Sequence, residues 1–257
     1  MSVVIIPPKA DHGPVPVPRK IETQRLILRP WKKNKADAKA LYALAKDPKV
    51  GPSAGWPVHR DPAHSLQVIR EVLATPDIYA VFLKKDLKDL TVENPAGTAG
   101  EAARRGGSDR PERVLVGAAG LTYGATGRKW LGEKEAEIGY WIGVPYWGHG
   151  YAPEAVRALL DRAFLDLGME AVWGGYYEGN TRSARVLQKC GFVYHHTDAH
   201  SYCEALGETR MEHFMLFRNI HLLKHPLNDK SRRGVSGAGG ERDDPVVRAD
   251  GHVCFEQ

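Results

Sequence analysis

Residues 137–160 read EIGYWIGVPYWGHGYAPEAVRALL. The first eight, rich in aromatic and β-branched side chains, predict a strand. The glycine-rich turn Trp147-Gly148-His149-Gly150-Tyr151-Ala152 follows. Beyond it Ala155, Val156, Leu159, Leu160, Ala163, Phe164 and Leu167 recur at i, i+3 and i+4, which predicts a long amphipathic helix over 153–168. Pro153 sits in its first turn, where a missing N–H costs nothing. A strand, a glycine turn and a helix in that order aim several backbone amides from a positive helix end, a geometry that suits phosphate oxygens. Two common phosphate sites are excluded by spacing. A dinucleotide fingerprint needs a third glycine where Pro153 stands, and a P-loop needs Lys then Ser or Thr after the second glycine. Taken alone, the same turn also reads as purely structural.

Outward from this stretch the chain alternates strands and helices. IETQRLILRPW (21–31) reads as a half-buried strand, ADAKALYALAKD (36–47) and HSLQVIREVLAT (64–75) as helices, and IYAVFLKK (78–85) as a strand. RVLVGAAGLTYG (113–124) and EAEIGYWIGV (135–144) continue as strands. The strand AVWGGY (171–176) and the short helix TRSARVLQKCG (181–191) come after the long helix. FVYHHT (192–197) and TRMEHFMLFRN (209–219) read as closing strands. Residues 1–20, with five prolines, predict an extended arm. Residues 86–112 are polar and glycine-rich, an insertion within one domain spanning 21–223. Residues 224–257 read as a disordered tail.

Composition bounds the function. At 42% hydrophobic and 26% charged, the 257-residue chain is globular rather than collagen-like or disordered. The net charge of +5 is diffuse: residues 85–113 and 224–257 each carry six basic and six acidic residues, so the excess belongs to the body. That suits an anionic cofactor and lacks the concentrated stripe of a nucleic-acid binder. The densest basic cluster, RKWLGEK (128–134), reads as a solvated loop. Three cysteines, Cys190, Cys203 and Cys254, argue against a disulfide scaffold and for a reducing, cytoplasmic setting. No apolar run reaches the roughly 18 residues of a membrane span, and the N-terminus lacks the basic start of a signal peptide. His195, His196, Asp198 and His200 invite a metal, but a polar strand end explains them, and no metal is expected.

Several ordered motifs together resemble the GCN5-related N-acetyltransferase (GNAT) superfamily. The loop signature Gln/Arg-x-x-Gly-x-Gly/Ala maps onto Trp147 through Ala152. An Asn three residues before a Ser, at a short helix ending in Gly-Phe, maps onto Asn180, Ser183, Gly191 and Phe192. TQRLILRPW, VGPSAGW and EIGYWIG look like the ribosomal-protein (RimJ/RimL-like) branch. The resemblance covers roughly residues 21–220. It implies an α/β fold with a mixed, mostly antiparallel central sheet flanked by helices and splayed between the middle strands, near 137–144 and 171–176. It also implies acetyl-CoA as cosubstrate, its pyrophosphate on the amides of Trp147, Gly148, His149, Gly150, Tyr151 and Ala152. Backbone groups of Trp141 and Ile142 would polarise the thioester, Val144 would lie on the exit path, and Asn180 would meet the pantetheine arm. The sequence departs from the pattern twice: Trp147 replaces the usual Gln or Arg, and Leu187 replaces a Tyr that in many relatives protonates the leaving thiolate.

Acetylating an amine requires removal of a proton, because most free amines are ammonium at pH 7. Glu137, in the strand before the loop, is the candidate base; as a strand residue it also reads as solvated or ion-paired. Ser183 is the candidate donor to the CoA sulfur, although Asn180 and Ser183 at a helix start also answer to N-capping. Trp31, Trp56 and Trp141 read as packing residues, with Trp56 also placed to line an acceptor mouth. Direct transfer in a ternary complex is expected, with a protein N-terminus or a small amine as acceptor and a second copy of the chain as a candidate partner. A non-catalytic acyl-CoA-binding protein on the same fold is the alternative, and a nucleotide-dependent oxidoreductase is disfavoured by Pro153.

Overall fold

In a computed structural model, residues 20–84, 113–124 and 127–218 are described. The arm before residue 20, the insertion at 86–112 and the tail from 224 lie outside those residues. The strands are β1 (Ile21–Glu22), β2 (Leu26–Pro30), β3 (Ile78–Leu83), β4 (Leu115–Tyr123), β5 (Glu135–Ile142), β6 (Ala171–Tyr177), β7 (Val193–Cys203) and β8 (Glu208–Arg218). The helices are α1 (Lys35–Ala45), α2 (Pro62–Val68), α3 (Tyr151–Asp161) and α4 (Thr181–Lys189). Both α2 and α3 run on into a wider π turn, over Ile69–Leu73 and Arg162–Asp166.

Among the described residues the strands form one eight-stranded sheet in the order β1-β2-β3-β4-β5-β6-β8-β7. Every pairing is antiparallel except β5 with β6. Alternation along the strands feeds two cores. Ile138, Tyr140 and Ile142 of β5 pack with Ala155, Val156 and Leu159 of α3 and Leu187 of α4 on one face. On the other, Ala80, Phe82 and Ala118 pack with Leu41 and Ala45 of α1 and Ile69 of the π turn. Burying apolar surface on both faces is what makes β3 buried at all six positions.

Local chemistry fixes the joints. Asn34 caps α1, its Oδ1 accepting from the Asp37 amide at 2.9 Å, and Arg29 grips Asp37 through two bonds of 2.7 and 2.8 Å, tying β2 to α1. Gly174 lets α4 settle on β6: a Cβ there would meet Leu187 Cδ2 at 2.7 Å.

The structure departs from the sequence expectation in two places. The first strand is broken at Thr23–Arg25, so that β1 and β2 pair with each other. And β7 extends six residues beyond Thr197, through the polar run taken for a strand end. It is an edge strand with most residues exposed, so polar side chains there cost no desolvation.

Candidate active site

The parallel pairing of β5 and β6 runs from Glu135↔Ala171 to Ile138↔Gly174 and stops. Both strands continue, to Ile142 and Tyr177, with their facing edges parted. Antiparallel alternation decides which backbone groups of β5 look into that gap. Gly143 N donates to Val116 O at 2.9 Å, toward β4. The amide of Trp141, two residues back, faces the same way, and that of Ile142 turns toward the gap. Of the two residues expected to polarise a carbonyl, only Ile142 therefore presents its amide there.

The glycine turn follows directly. Gly148 and Gly150 hold φ of +80° and +78°, the left-handed region that favours glycine. A Cβ on Gly148 would meet nothing within 4 Å, so the space above that backbone is open. Gly150 is the N-cap of α3 and carries no side-chain cap. The amides of Tyr151 and Ala152 are thus first-turn donors with no carbonyl one turn back. Such a cradle fits a phosphate.

A cleft of about 700 Å³ opens over the gap and the turn. From the expected set it brings together Trp141, Ile142, Trp147, Gly148, Gly150, Tyr151 and Ala152 and, across the gap, Asn180 and Ser183. Val144, in the turn after β5, and His149 lie outside the lining. His149 is exposed; its ring stacks on Tyr151 and its carbonyl accepts from Arg25 Nη1 at 2.9 Å. Trp147 does more than fill a Gln or Arg position: its indole N–H donates to Ile142 O at 2.6 Å, inside the gap. Arg182 lies over that indole, 4.5 Å from the ring centre, and returns a guanidinium to the loop from the neighbouring helix. Together with Lys49, Arg185 and Lys189 it gives the cleft a basic wall.

Asn180 is the N-cap of α4, its Oδ1 accepting from Ser183 N at 3.1 Å. The Ser183 hydroxyl takes no part in that cap. It meets the Tyr140 hydroxyl at 3.1 Å, and both side chains line the cleft. The sequence offers no sign of this pair, because the two residues are 43 positions apart.

Glu137 points to the opposite face of β5 and is not part of the cleft wall. It is 8% exposed. Arg128 Nε reaches its Oε2 at 3.3 Å, while Arg128 Nη2 binds both oxygens of the fully buried Glu212 at 2.8 and 2.9 Å. Ser201 donates to Glu212 Oε2 as well. The Oε1 of Glu137 is buried with no hydrogen-bond partner among the described residues. Burial pushes its carboxyl up to about 7; Arg128 opposes that rise and Glu212 adds to it. The stretch 128–134 is the loop expected, with Lys129, Glu133 and Lys134 exposed, but Arg128 itself is not solvated. Its guanidinium bridges two buried carboxylates and covers the Phe214 ring, and Trp130 packs edge-on against Trp173 and Phe214.

Trp31 is core, as expected, and Trp56 packs edge-on against Trp141. Of the histidine group, His195 and His196 contact each other and Trp173, and no cluster of three metal-ligating side chains occurs among the described residues. Cys190 is buried with its thiol on Pro153 O, and Cys203 with its thiol on Gly55 O.

The family model of the acetyltransferase (GNAT) domain matches residues 25–193. The chain belongs to that family. Its domain is an acetyl-CoA-dependent acyltransferase domain, and its sheet, parted between β5 and β6 and flanked by helices, is the GNAT fold. An uncharacterised N-acetyltransferase, p20 of Bacillus licheniformis, is 39% identical over 57 residues, 22% of this chain and 32% of that protein. The chain thus spans about a third of that relative's length. An uncharacterised N-acetyltransferase of Bacillus subtilis, YoaA, is 25% identical over 172 residues, 67% of this chain and 81% of its own. A Vibrio cholerae structure named as a ribosomal-protein-serine acetyltransferase superposes with a TM-score of 0.55 at 19% identity, covering 79% of this chain and 99% of that one. The Microcin C7 self immunity acetyltransferase MccE, solved with acetyl-CoA and AMP, superposes at 0.53 and 16% identity, covering 77% and 94%. Among the described residues no helix is long and apolar enough to cross a membrane.

Proposed function

We propose that the protein moves the acetyl group of acetyl-CoA directly to an acceptor amine within a ternary complex. One observation carries the reading. The anion turn, the Ile142 amide, Asn180 and Ser183 converge on a single cleft, and that cleft opens where β5 and β6 part. Acetyl-CoA supplies an activated acyl group on a thioester. The amides of Gly148 to Ala152 hold its pyrophosphate, with Arg182 adding positive charge from the side. Asn180 meets the pantetheine arm, and the Ile142 amide, aimed into the gap, supports the developing negative charge on the carbonyl oxygen.

The acceptor reaches the thioester from the face of Glu137, where Gly139 puts no side chain between Glu137 and Trp141. A carboxyl poised near 7 is matched to taking a proton from an ammonium at neutral pH, through a water. Ser183 supports the sulfur as the C–S bond breaks. A covalent acetyl-cysteine is disfavoured, since neither Cys190 nor Cys203 lines the cleft and burial pushes the Cys190 thiol up. The ribosomal-protein-like motifs, with the V. cholerae structural likeness beside them, favour a protein N-terminal amine as acceptor. A small amine is the second reading, favoured by the buried carboxylate pair Glu137 and Glu212 facing a single guanidinium, which is suited to a cation. The free, buried thiols of Cys190 and Cys203 support a reducing, cytoplasmic setting, with a second copy of the chain as a candidate partner.

The test is acetyl-CoA binding by calorimetry together with free-thiol release, over a panel of small amines and N-terminal peptides. Amine-dependent release is expected, and the best amine names the acceptor class. Binding without release on any amine would replace this reading with that of an acyl-CoA-binding protein, and no binding would remove both.

A further inference from the structure

The inference here rests on the acetyl-transfer reading and concerns the leaving sulfur. Leu187 stands where many relatives carry a tyrosine. It is fully buried against Gly174, so α4 offers no phenol at that position. A phenol nonetheless reaches the cleft from β5 and meets α4 one turn earlier, at Ser183. Tyr140, on the α3/α4 face of β5, places its hydroxyl 3.1 Å from Ser183 Oγ and 3.2 Å from the Ser183 carbonyl oxygen. Tyr140 is 4% exposed and Ser183 5%, and both reach the cleft.

Each hydroxyl has one proton, so the pair has two arrangements of nearly equal length. In the first, Tyr140 donates to the Ser183 carbonyl and the serine proton is satisfied on the phenol oxygen. In the second, Tyr140 donates to Ser183 Oγ and the serine proton is released to another acceptor. Because Asn180 already serves as the helix cap, neither arrangement disturbs α4.

We propose that Tyr140 is a positioning residue for Ser183, turning its hydrogen bond from the serine carbonyl to Oγ so that the serine O–H points at the departing CoA sulfur. The C–S bond breaks with its electron pair on sulfur. Neither hydroxyl loses its proton, and the thiolate is protonated later from solvent in the open cleft. Burial pushes the Tyr140 phenol well above its ordinary value, so it stays protonated and remains a donor at working pH. Two donors in series polarise one another and strengthen the bond to an anion.

The device is read on bound CoA itself, without an acceptor. Thiolate absorbance of the protein–CoA complex is titrated against pH, with dethio-CoA subtracting the protein's own tyrosines and cysteines. In the wild-type protein the bound thiol is expected to titrate about one pH unit below free CoA. Tyr140→Phe and Ser183→Ala should each return most of that shift, and the double variant should return no more than either alone. Phe keeps the buried ring and removes only the oxygen; thermal melting checks the fold. Incorporating 3-fluorotyrosine at 140, which strengthens the donor, should move the thiol midpoint further down and covers the case in which Phe fails to fold.

A Tyr140→Phe protein that titrates like the wild type, additive effects in the double variant, or no shift on Ser183→Ala would each overturn the proposal. Its failure is separable from failure of the acetyl-transfer reading. Coupled shifts in the bound thiol with no amine-dependent thiol release would leave the Tyr140–Ser183 pair standing and remove acetyl transfer, and no CoA binding would overturn both.

Discussion

Glu154, in the first turn of α3, accepts from three groups at the β1–β2 break: the Thr23 hydroxyl at 2.5 Å, the Arg25 amide at 2.8 Å and Arg25 Nε at 2.7 Å. The same guanidinium donates to the His149 carbonyl at 2.9 Å and lies over the Tyr151 ring. The break in the first strand thus has a use: it delivers an arginine to the back of the glycine turn. These hydrogen bonds hold the Glu154 carboxyl below its ordinary value even though burial opposes them. The contacts leave the cleft side of the turn untouched, so Arg25 fixes the shape of the amide cradle without occupying it.

Replacing Arg25 with Met should therefore loosen the turn rather than remove chemistry. Affinity for acetyl-CoA is expected to fall about tenfold, roughly 1.4 kcal/mol. The rate at saturating acetyl-CoA should stay within about twofold. Lys at this position should rescue little, since it cannot make the forked contacts. Calorimetry gives the first number and steady-state kinetics the second. A change in kcat with unchanged affinity would move Arg25 out of this role.

Gly150→Glu should abolish acetyl-CoA binding in a folded protein. A side chain at φ +78° costs roughly 1–2 kcal/mol, which a domain of this size tolerates. A Cβ there would lie 3.4 Å from Arg25 Nη2, so the new carboxylate would draw that guanidinium off the His149 carbonyl, distort the amide cradle and add negative charge beside it. Calorimetry with a melting curve checks both halves, and full affinity would refute the assignment of the turn.

The turn and α3 were legible in the sequence because their information is local: two glycines, a proline and a helical period within 24 residues. Asn180 and Ser183 were legible for the same reason. What escaped is made by distant residues. Arg128 and Glu212 are 84 positions apart, and a guanidinium in a charged segment looks solvated until β8 carries a carboxylate beneath it. Tyr140 alternates with Ile138 and Ile142 along β5, and only the approach of α4 gives its hydroxyl a partner. Glu137 was legible as a residue, but its shifted acidity was not, because that comes from burial.

Arg182 answers the question raised by Trp147. Removing it in Arg182→Ala takes the cation from the indole face and from the cleft wall. Acetyl-CoA affinity should fall about five- to tenfold, roughly 1–1.4 kcal/mol for a partly desolvated cation beside an anion. Its dependence on salt should weaken with it, since one fewer charge contributes to attraction. Binding isotherms at two ionic strengths check this. An unchanged salt dependence would place Arg182 away from the phosphates.

Glu137 ties stability and activity to pH in opposite directions. Its carboxyl stands at about 7 in the fold against an ordinary 4.5, so the folded state favours the protonated form. The stability this contributes is complete below about 4.5 and is lost as pH rises through about 7. Activity runs the other way if Glu137 is the base, with kcat/KM climbing through the same region as the carboxylate forms. Glu137→Gln should flatten both profiles, losing about 100-fold or more in rate, while the melting temperature above pH 7 holds or rises. Arg128→Met tests the electrostatics: with one cation gone from two buried carboxylates, Glu137 should titrate higher, moving the activity limb to higher pH. The fold should lose about 3 kcal/mol. Parallel pH–rate and pH–melting series on the three proteins check the signs. A wild-type rate flat from pH 5.5 to 8.5 would remove Glu137 as the base.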